Sequence, residues 1–254
     1  MSRSLLWGYL LHNFRAVRFS LLPSAGPAVL GPPRTMSDLP HPVIAIDGTA
    51  ASGKSTFARE LAGRLGYVYV NTGAMYRGVT WYLQQRNIPL RDAEAIAQVV
   101  ADAEVETRLH DGELVFRIAG LDPLPHVRDG RVNEGVSLVA QVAAVRKILV
   151  AEQQRLAAQA PLVMEGRDIG TVVFPQTPYK FYLDADAGIR AQRRSRQGEN
   201  DVIHQRDILD QQRATSPLTR APDALFLDSG GASVNELVAI ALQHLAARGL
   251  KAAS

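Results

Sequence analysis

The sequence contains no cysteine. A disulfide framework and a thiolate metal site are excluded, which is compatible with a reducing compartment. No run reaches the ~18 consecutive apolar residues of a membrane-spanning helix, so no span is expected. Acidic residues are missing from residues 1–37, which carry Arg3, Arg15, Arg18 and Arg34. Those four arginines account for the net charge of +3: the chain has 28 Lys and Arg against 25 Asp and Glu, and without the four the balance is 24 against 25. The remainder is nearly neutral, which argues against a general nucleic-acid surface. No pairing of histidines and acids has metal-ligand spacing, and His126 and His204 stand alone. A protein-built metal site is therefore not expected.

The 254 residues suffice for one large domain or two small ones, and 46% hydrophobic residues suffice for a sizeable core. Residues 1–37 differ in kind from the rest. SLLWGYLLHNF is followed by a Pro- and Gly-rich tract, and Met36 stands just before the first clear strand. A translation start at Met36, an organellar transit segment and a secretory signal are the three readings, the first being favoured. All three put residues 1–40 outside the fold, either without structure or absent from the mature protein. The fold is expected over 41–254.

HPVIAID (41–47) reads as a buried strand, and STFARELAGRLG from Ser55 has apolar residues at helical spacing up to Gly66. YVYVNTG (67–73) reads as a strand with a turn, and 75–86 as a helix. Alanine and acids from Asp92 to Val105 suggest another helix. VETRLH and ELVFRIAG flank Asp111-Gly112, a favoured hairpin pair. Ser137 to Ala160 reads as one long alanine-rich helix. PLVMEG (161–166), YKFYLDA (179–185) and DALFLDS (223–229) are strands. GIRAQRRSRQ, HQRDILDQQRATSPL (204–218, broken at Pro217) and VNELVAIALQHLAARG (234–249) are helices. Strands alternating with helices predict a mostly parallel sheet covered on both faces.

Between the first strand and helix lies Gly48-Thr49-Ala50-Ala51-Ser52-Gly53-Lys54-Ser55, followed by Thr56. It fits G-x-x-x-x-G-K-[ST]. The glycines let backbone N–H groups surround phosphate oxygens, and the helix adds its positive end. Lys54 can reach the β- and γ-phosphates of ATP, and Ser55 can ligate Mg²⁺ through its hydroxyl. No N-K-x-D segment that reads guanine occurs. A kinase needs a second pocket beside the γ-phosphate.

Arg77 follows the second strand, Arg146 lies on the long helix, and Arg167 and Asp168 follow PLVMEG directly. Ligands of open parallel sheets sit beyond the carboxyl ends of strands. Arg206, Asp210 and Arg213, at i, i+4 and i+7, are expected on one helix face. Arginines converging from separate elements suit an anion such as a phosphate monoester. Taken singly, each could equally be a solvated residue or half of a surface ion pair.

GTAASGKST, NTGAMYR, SLVAQVAAVRKIL, EGRDIGTVVFP, YKFYLDA, RDILDQQRATSPL and DALFLDS occur in this order. Together they resemble bacterial-type cytidylate kinases, from about Val43 to about Leu245. The resemblance implies an α/β P-loop nucleoside monophosphate kinase: a parallel sheet flanked by helices, with a small antiparallel β insertion for CMP at about 87–136 and a short lid at about 190–206. The core is then 41–86 and 137–254. It further implies ATP and CMP or dCMP as substrates, with Mg²⁺, in a cytoplasmic monomer of pyrimidine metabolism without a nucleic-acid or membrane partner.

By the same resemblance Thr72 takes a hydroxyl position and Arg77 a phosphate position. Ser137 and Arg146 contact cytosine. Arg167 grips the monophosphate, and Asp168 helps recognise base or acceptor. Arg206 and Arg213 bind phosphate, and Asp210 holds the ribose hydroxyls. Of the lid arginines, Arg193 is the expected contact of the transferring phosphoryl group. Two departures stand out: Leu209 occurs where a charge is expected, and RRSRQGENDVIH (193–204) is shorter than the usual lid. A kinase for another small phosphate acceptor and a non-catalytic nucleotide-binding regulatory module are the alternatives.

Overall fold

A central strand of four apolar residues followed by Asp47 and Gly48 organises the molecule. The computed structural model describes residues 40–110, 112–196, 203–211, 213 and 216–250, with backbone alone at 203–206. The segment at 1–39 and residues 197–202 of the short lid connection lie outside the described residues. β1 (Val43–Gly48) is buried along its whole length, as a strand covered on both faces must be. Its neighbours are β5 (Leu162–Glu165) and β6 (Lys180–Asp184), and the outer strands are β2 (Val68–Asn71) and β7 (Leu225–Asp228). The order is β2-β5-β1-β6-β7, and every pairing is parallel.

Alternation along β1 separates two cores. Ile44 and Ile46 face α1 (Lys54–Leu65) and α8 (Val234–Ala247), meeting Phe57, Leu61, Leu237 and Val238. Val43 and Ala45 face the opposite side, with Leu156, Val173 and Phe174. Because all strands run one way, their carboxyl ends line one edge. There stand Asn71, Glu165, Gly48, Asp184 and Asp228, the polar rim from which the site is built.

A third core joins α2 (Thr72–Gln85), α3 (Ala93–Asp102), the hairpin β3 (Val105–His110) and β4 (Glu113–Ile118), α4 (Gly130–Val139) and α5 (Ala143–Leu156). The hairpin forms in the predicted register, with His110 opposite Glu113. Phe116 is its anchor and is fully buried. A Cβ on Gly78 of α2 would sit 2.5 Å from Phe116 Cε1. A residue without a side chain is thus required where helix and hairpin meet.

Four sequence expectations are corrected. The helix predicted from Ser137 to Ala160 is two helices, α4 and α5, because Val142 adopts an extended conformation. Neither glycine nor proline marks that break. Val139, Ala140, Val142 and Val145 all bury into the third core, and packing overrides local propensity. The turn expected after β2 is absent: Asn71 ends the strand and caps α2 by accepting from Ala74 N at 3.1 Å. The helix expected over 204–218 is α7 (Ile203–Gln211), ending well before Pro217. Leu218 N donates to Asp210 O at 2.9 Å, closing a turn that contains Ser216 in the left-handed region. Finally, a single π-helical turn spans Ile169–Val173 after β5, where no helix was expected.

Candidate active site

The loop between β1 and α1 wraps its own lysine. Lys54 Nζ donates to Thr49 O at 2.5 Å and to Ser52 Oγ at 3.3 Å. Burial, and then the Arg167 guanidinium, bring its amine down to about 7. Ala51 holds the left-handed turn of the loop at φ 57°. Ser55 is exposed at the start of α1.

A cavity of about 740 Å³ opens beside this loop. Lys54 and Ser55 form one end of it. From α2 come Thr72 and Arg77, and from α4 comes Ser137. Arg167 and Asp168, just past β5, form the floor with Asp210 and Arg213. Basic side chains on the walls outnumber carboxylates seven to three. A cavity with this excess of basic side chains favours an anionic ligand.

The floor is an ordered ion-pair set. Arg167 Nε donates to Asp210 Oδ2 at 2.9 Å, and Arg213 Nη2 donates to Asp210 Oδ1. Burial opposes the charge on Arg167, yet Asp210, with Asp207 and Glu165 behind it, outweighs that cost and raises the guanidinium's pKa. Burial lowers that of Arg213 despite the same partner. Arg146 Nη2 donates to Asp168 Oδ2, and Arg146 Nε donates to Ser216 Oγ at 3.1 Å. Burial pushes the Asp168 carboxyl upward against the opposing pull of Arg146 and Arg213.

Not every expected residue reaches the cavity. Arg146 stands behind Asp168, with its guanidinium 5.6 Å from the centre of the Tyr76 ring. Thr72 lines the cavity but donates its hydroxyl hydrogen to Glu165 O at 2.8 Å, leaving only its lone pairs for a ligand. Arg193 donates to Ser229 Oγ at 3.1 Å and to Ser229 O at 2.5 Å. It lines a second cavity of about 440 Å³ beside Ser52 and Gly53, together with Val234 and Leu237. Arg194, its neighbour, lines both cavities. The Arg206 side chain lies outside the described residues. Arg213 lies beyond the end of α7, so no helix face carries the Arg206/Asp210/Arg213 set as a unit.

Residues 44–247 match the family described as cytidylate kinase. The chain belongs to the cytidylate kinase family. The cytidylate kinase of Desulforamulus reducens is 42% identical over 209 residues, spanning 78% of this chain and 94% of its own length. That of Caldanaerobacter subterraneus subsp. tengcongensis is 41% identical over 206 residues, spanning 77% and 90%. Among solved structures, a gluconokinase from Sinorhizobium meliloti 1021 has a TM-score of 0.46 at 16% identity, covering 83% of this chain and 94% of that one. The resemblance carried by the sequence blocks is thereby borne out.

Two further residues that the sequence analysis did not single out stand at the site. Tyr76 lines the cavity while nearly buried, and burial pushes its phenol up to about 12. Asp47, the last residue before Gly48, accepts from Ile169 N and Gly170 N at 2.8 Å each. Burial pushes its carboxyl up to about 7. It ties the strand beneath the phosphate loop to the turn that carries Arg167 and Asp168. An acid ending the apolar run VIAI was a usable signal for Asp47. Tyr76 stands inside the NTGAMYR block but was not singled out there, because an aromatic at helical spacing reads as core.

Proposed function

We propose that this chain transfers the γ-phosphoryl group of ATP to CMP, and to dCMP, giving ADP and the cytidine diphosphate of pyrimidine metabolism. The observation that carries the reading is the buried Arg146–Asp168 pair at the wall of a basic cavity that begins at Lys54. Cytosine presents an N4 amino donor beside N3 and O2 acceptors. The Asp168 carboxylate, set in place by Arg146 behind it, and the Ser137 hydroxyl match those edges. Uracil would set its O4 against the carboxylate, and a buried acceptor facing an acceptor is costly.

The acceptor phosphate belongs with Arg77, Arg167 and Arg213, whose donors suit its oxygens. Asp210 already orders two of these arginines and has the acceptor chemistry for ribose hydroxyls. Thr72 offers a lone pair to the nucleotide. Residues 87–136, which include the hairpin and most of α4, are assigned as the CMP-binding module. Residues 41–86 and 137–254 are assigned as the kinase core, with the lid at about 190–206. The donor's triphosphate belongs on residues 48–56, and its nucleoside belongs in the smaller cavity beside Arg193. Arg206 keeps its proposed phosphate role on sequence grounds alone.

The acceptor oxygen is already anionic, so the reaction needs no dedicated base. Catalysis is alignment together with neutralisation of the charge spread over the transferring group. Lys54 supplies part of that neutralisation. Among the lid arginines, Arg194 lines both cavities and is the better placed to supply another part. Mg²⁺ fits the oxygen donors at this end: the Ser55 hydroxyl is exposed at the cavity that the Glu165 carboxylate also lines. Such a cation is held by one or two protein oxygens together with substrate phosphates, whose charge it neutralises. We assign the protein to the cytoplasm as a monomer acting on small molecules.

The test is ADP release and diphosphate formation from ATP with CMP, dCMP, UMP or AMP. CMP and dCMP should be converted in preference to UMP and AMP. ATP turnover that is no faster with CMP than without it would overturn the reading.

A further inference from the structure

Arg190 of α6 (Ala187–Arg196) and Asp207 of α7 meet at the phosphate loop, though neither lines either cavity. Asp207 Oδ1 accepts from Ala50 N at 3.0 Å. Arg190 Nη1 donates to Asp207 Oδ2 and also to Ala50 O at 3.2 Å. Both backbone polar groups of Ala50 are therefore taken by one ion pair. The next carboxylate continues the set: Arg190 Nε lies 3.5 Å from Asp184 Oδ1, which accepts from Thr49 Oγ1 at 2.5 Å. Asp207 is buried and Arg190 nearly so.

Ala50 belongs to no helix or strand and directly precedes the left-handed Ala51. No ladder sets the direction of its peptide groups, so side chains must. That direction matters, because the amides that follow are the ones a phosphate loop aims at its anion. A carboxylate this close to a triphosphate site would repel the ligand if it stood alone. Arg190 compensates that charge while gripping the carbonyl of the same residue.

We propose that Arg190 and Asp207 are positioning residues that hold Ala50, and with it the phosphate loop, in the conformation that receives the triphosphate of ATP. This rests on the reading of the chain as an ATP-dependent kinase. The division of labour predicts unequal losses. Arg190→Ala leaves the Asp207 carboxylate uncompensated beside the triphosphate, whereas Asp207→Ala frees Ala50 N–H and leaves Arg190 with Asp184 as its carboxylate partner. Removing both takes away one charge of each sign.

The full chain is titrated with a fluorescent, non-hydrolysable ATP analogue and, separately, with CMP by calorimetry. Analogue binding and CMP-dependent turnover by the unaltered protein check the underlying reading first. Arg190→Ala should weaken the analogue about thirtyfold and Asp207→Ala about tenfold, with CMP affinity within about twofold. The double variant should bind the analogue more tightly than Arg190→Ala alone, a recovery that general destabilisation does not produce. Losses that simply multiply, equal weakening of CMP, or unchanged analogue affinity would each overturn the proposal. Should Arg190→Ala not fold, Arg190→Lys keeps the charge but not the fork. A loss of about fivefold for the analogue alone then supports the proposal, and an unchanged affinity overturns it.

Discussion

Arg146 and Asp168 form a buried ion pair across 22 positions of sequence, one on α5 and the other just past β5. The guanidinium also spans Ser216 and the Ala140 carbonyl, the latter at 3.4 Å. It therefore fixes the break between α4 and α5, the turn after α7 and the carboxylate in one stroke. A buried charge with this many partners keeps a single orientation.

Base discrimination is expected to follow from that orientation. Asp168→Asn replaces an acceptor-only group with one that can also donate, which suits uracil O4. Measured side by side, kcat/KM for CMP should fall about 100-fold, and the UMP-to-CMP ratio should rise at least about tenfold. A ratio that stays where the unaltered protein has it means that Asp168 does not read the base.

Arg167 and Arg213 share Asp210 as partner, so losing either one leaves the carboxylate still paired. Arg167→Ala should raise KM for CMP by about 100-fold while KM for ATP changes by less than about threefold. Steady-state kinetics with each substrate varied in turn distinguishes this from a general loss, in which both constants would rise together.

Lys54 gives a pH signature. Its pKa is lowered to about 7 by burial and by Arg167, so near pH 8 the free protein holds this amine mostly neutral. A bound triphosphate favours the ammonium form. ATP binding at about pH 8 should therefore take up a large fraction of one proton, less at lower pH where the amine is already charged. In the ligand-free protein the same depression means that folding releases this proton above about pH 7, so this residue's contribution to stability rises with pH from there toward the ordinary lysine value. Calorimetry in two buffers of different ionisation enthalpy measures the uptake, and Lys54→Met should abolish it. Identical apparent enthalpies in both buffers for the unaltered protein would contradict the assignment.

Gly48 is fixed by geometry rather than by ligand. It has φ 147°, and a Cβ there would stand 1.9 Å from Leu183 O on the neighbouring strand. Gly48→Ala should lose about 4 kcal/mol or more, because neither backbone can yield inside a parallel sheet. Urea unfolding monitored by circular dichroism tests this. A midpoint close to that of the unaltered protein would show that β1 and β6 can separate at no great cost.

Much of this molecule was legible in the sequence. The apolar run of β1, the glycine loop, the Asp111-Gly112 hairpin and the helix α8 each rest on local chemistry, and each forms where expected. Local signals also picked out Arg167 and Asp168, since charges just past the carboxyl end of a buried strand stand at the edge where ligands sit. Local signals failed between Ser137 and Ala160, where alanines offer no stop and the break depends on what Val142 meets across the core. They failed again at α7, where spacing suggested one helix face and a tertiary turn delivers Arg213 instead.

Sequence by itself determined most of the elements, the phosphate loop and the family, because periodicity, turn chemistry and ordered motifs act over a few residues at a time. Only the tertiary structure decided the partnerships: Arg146 with Asp168, Arg167 with Asp210, Asp47 with the turn after β5, and Arg190 and Asp207 with Ala50. Each joins segments whose separation in the chain says nothing about their distance in space. Burial then gives these charges no choice but one another, and that constraint exists only once the chain has folded.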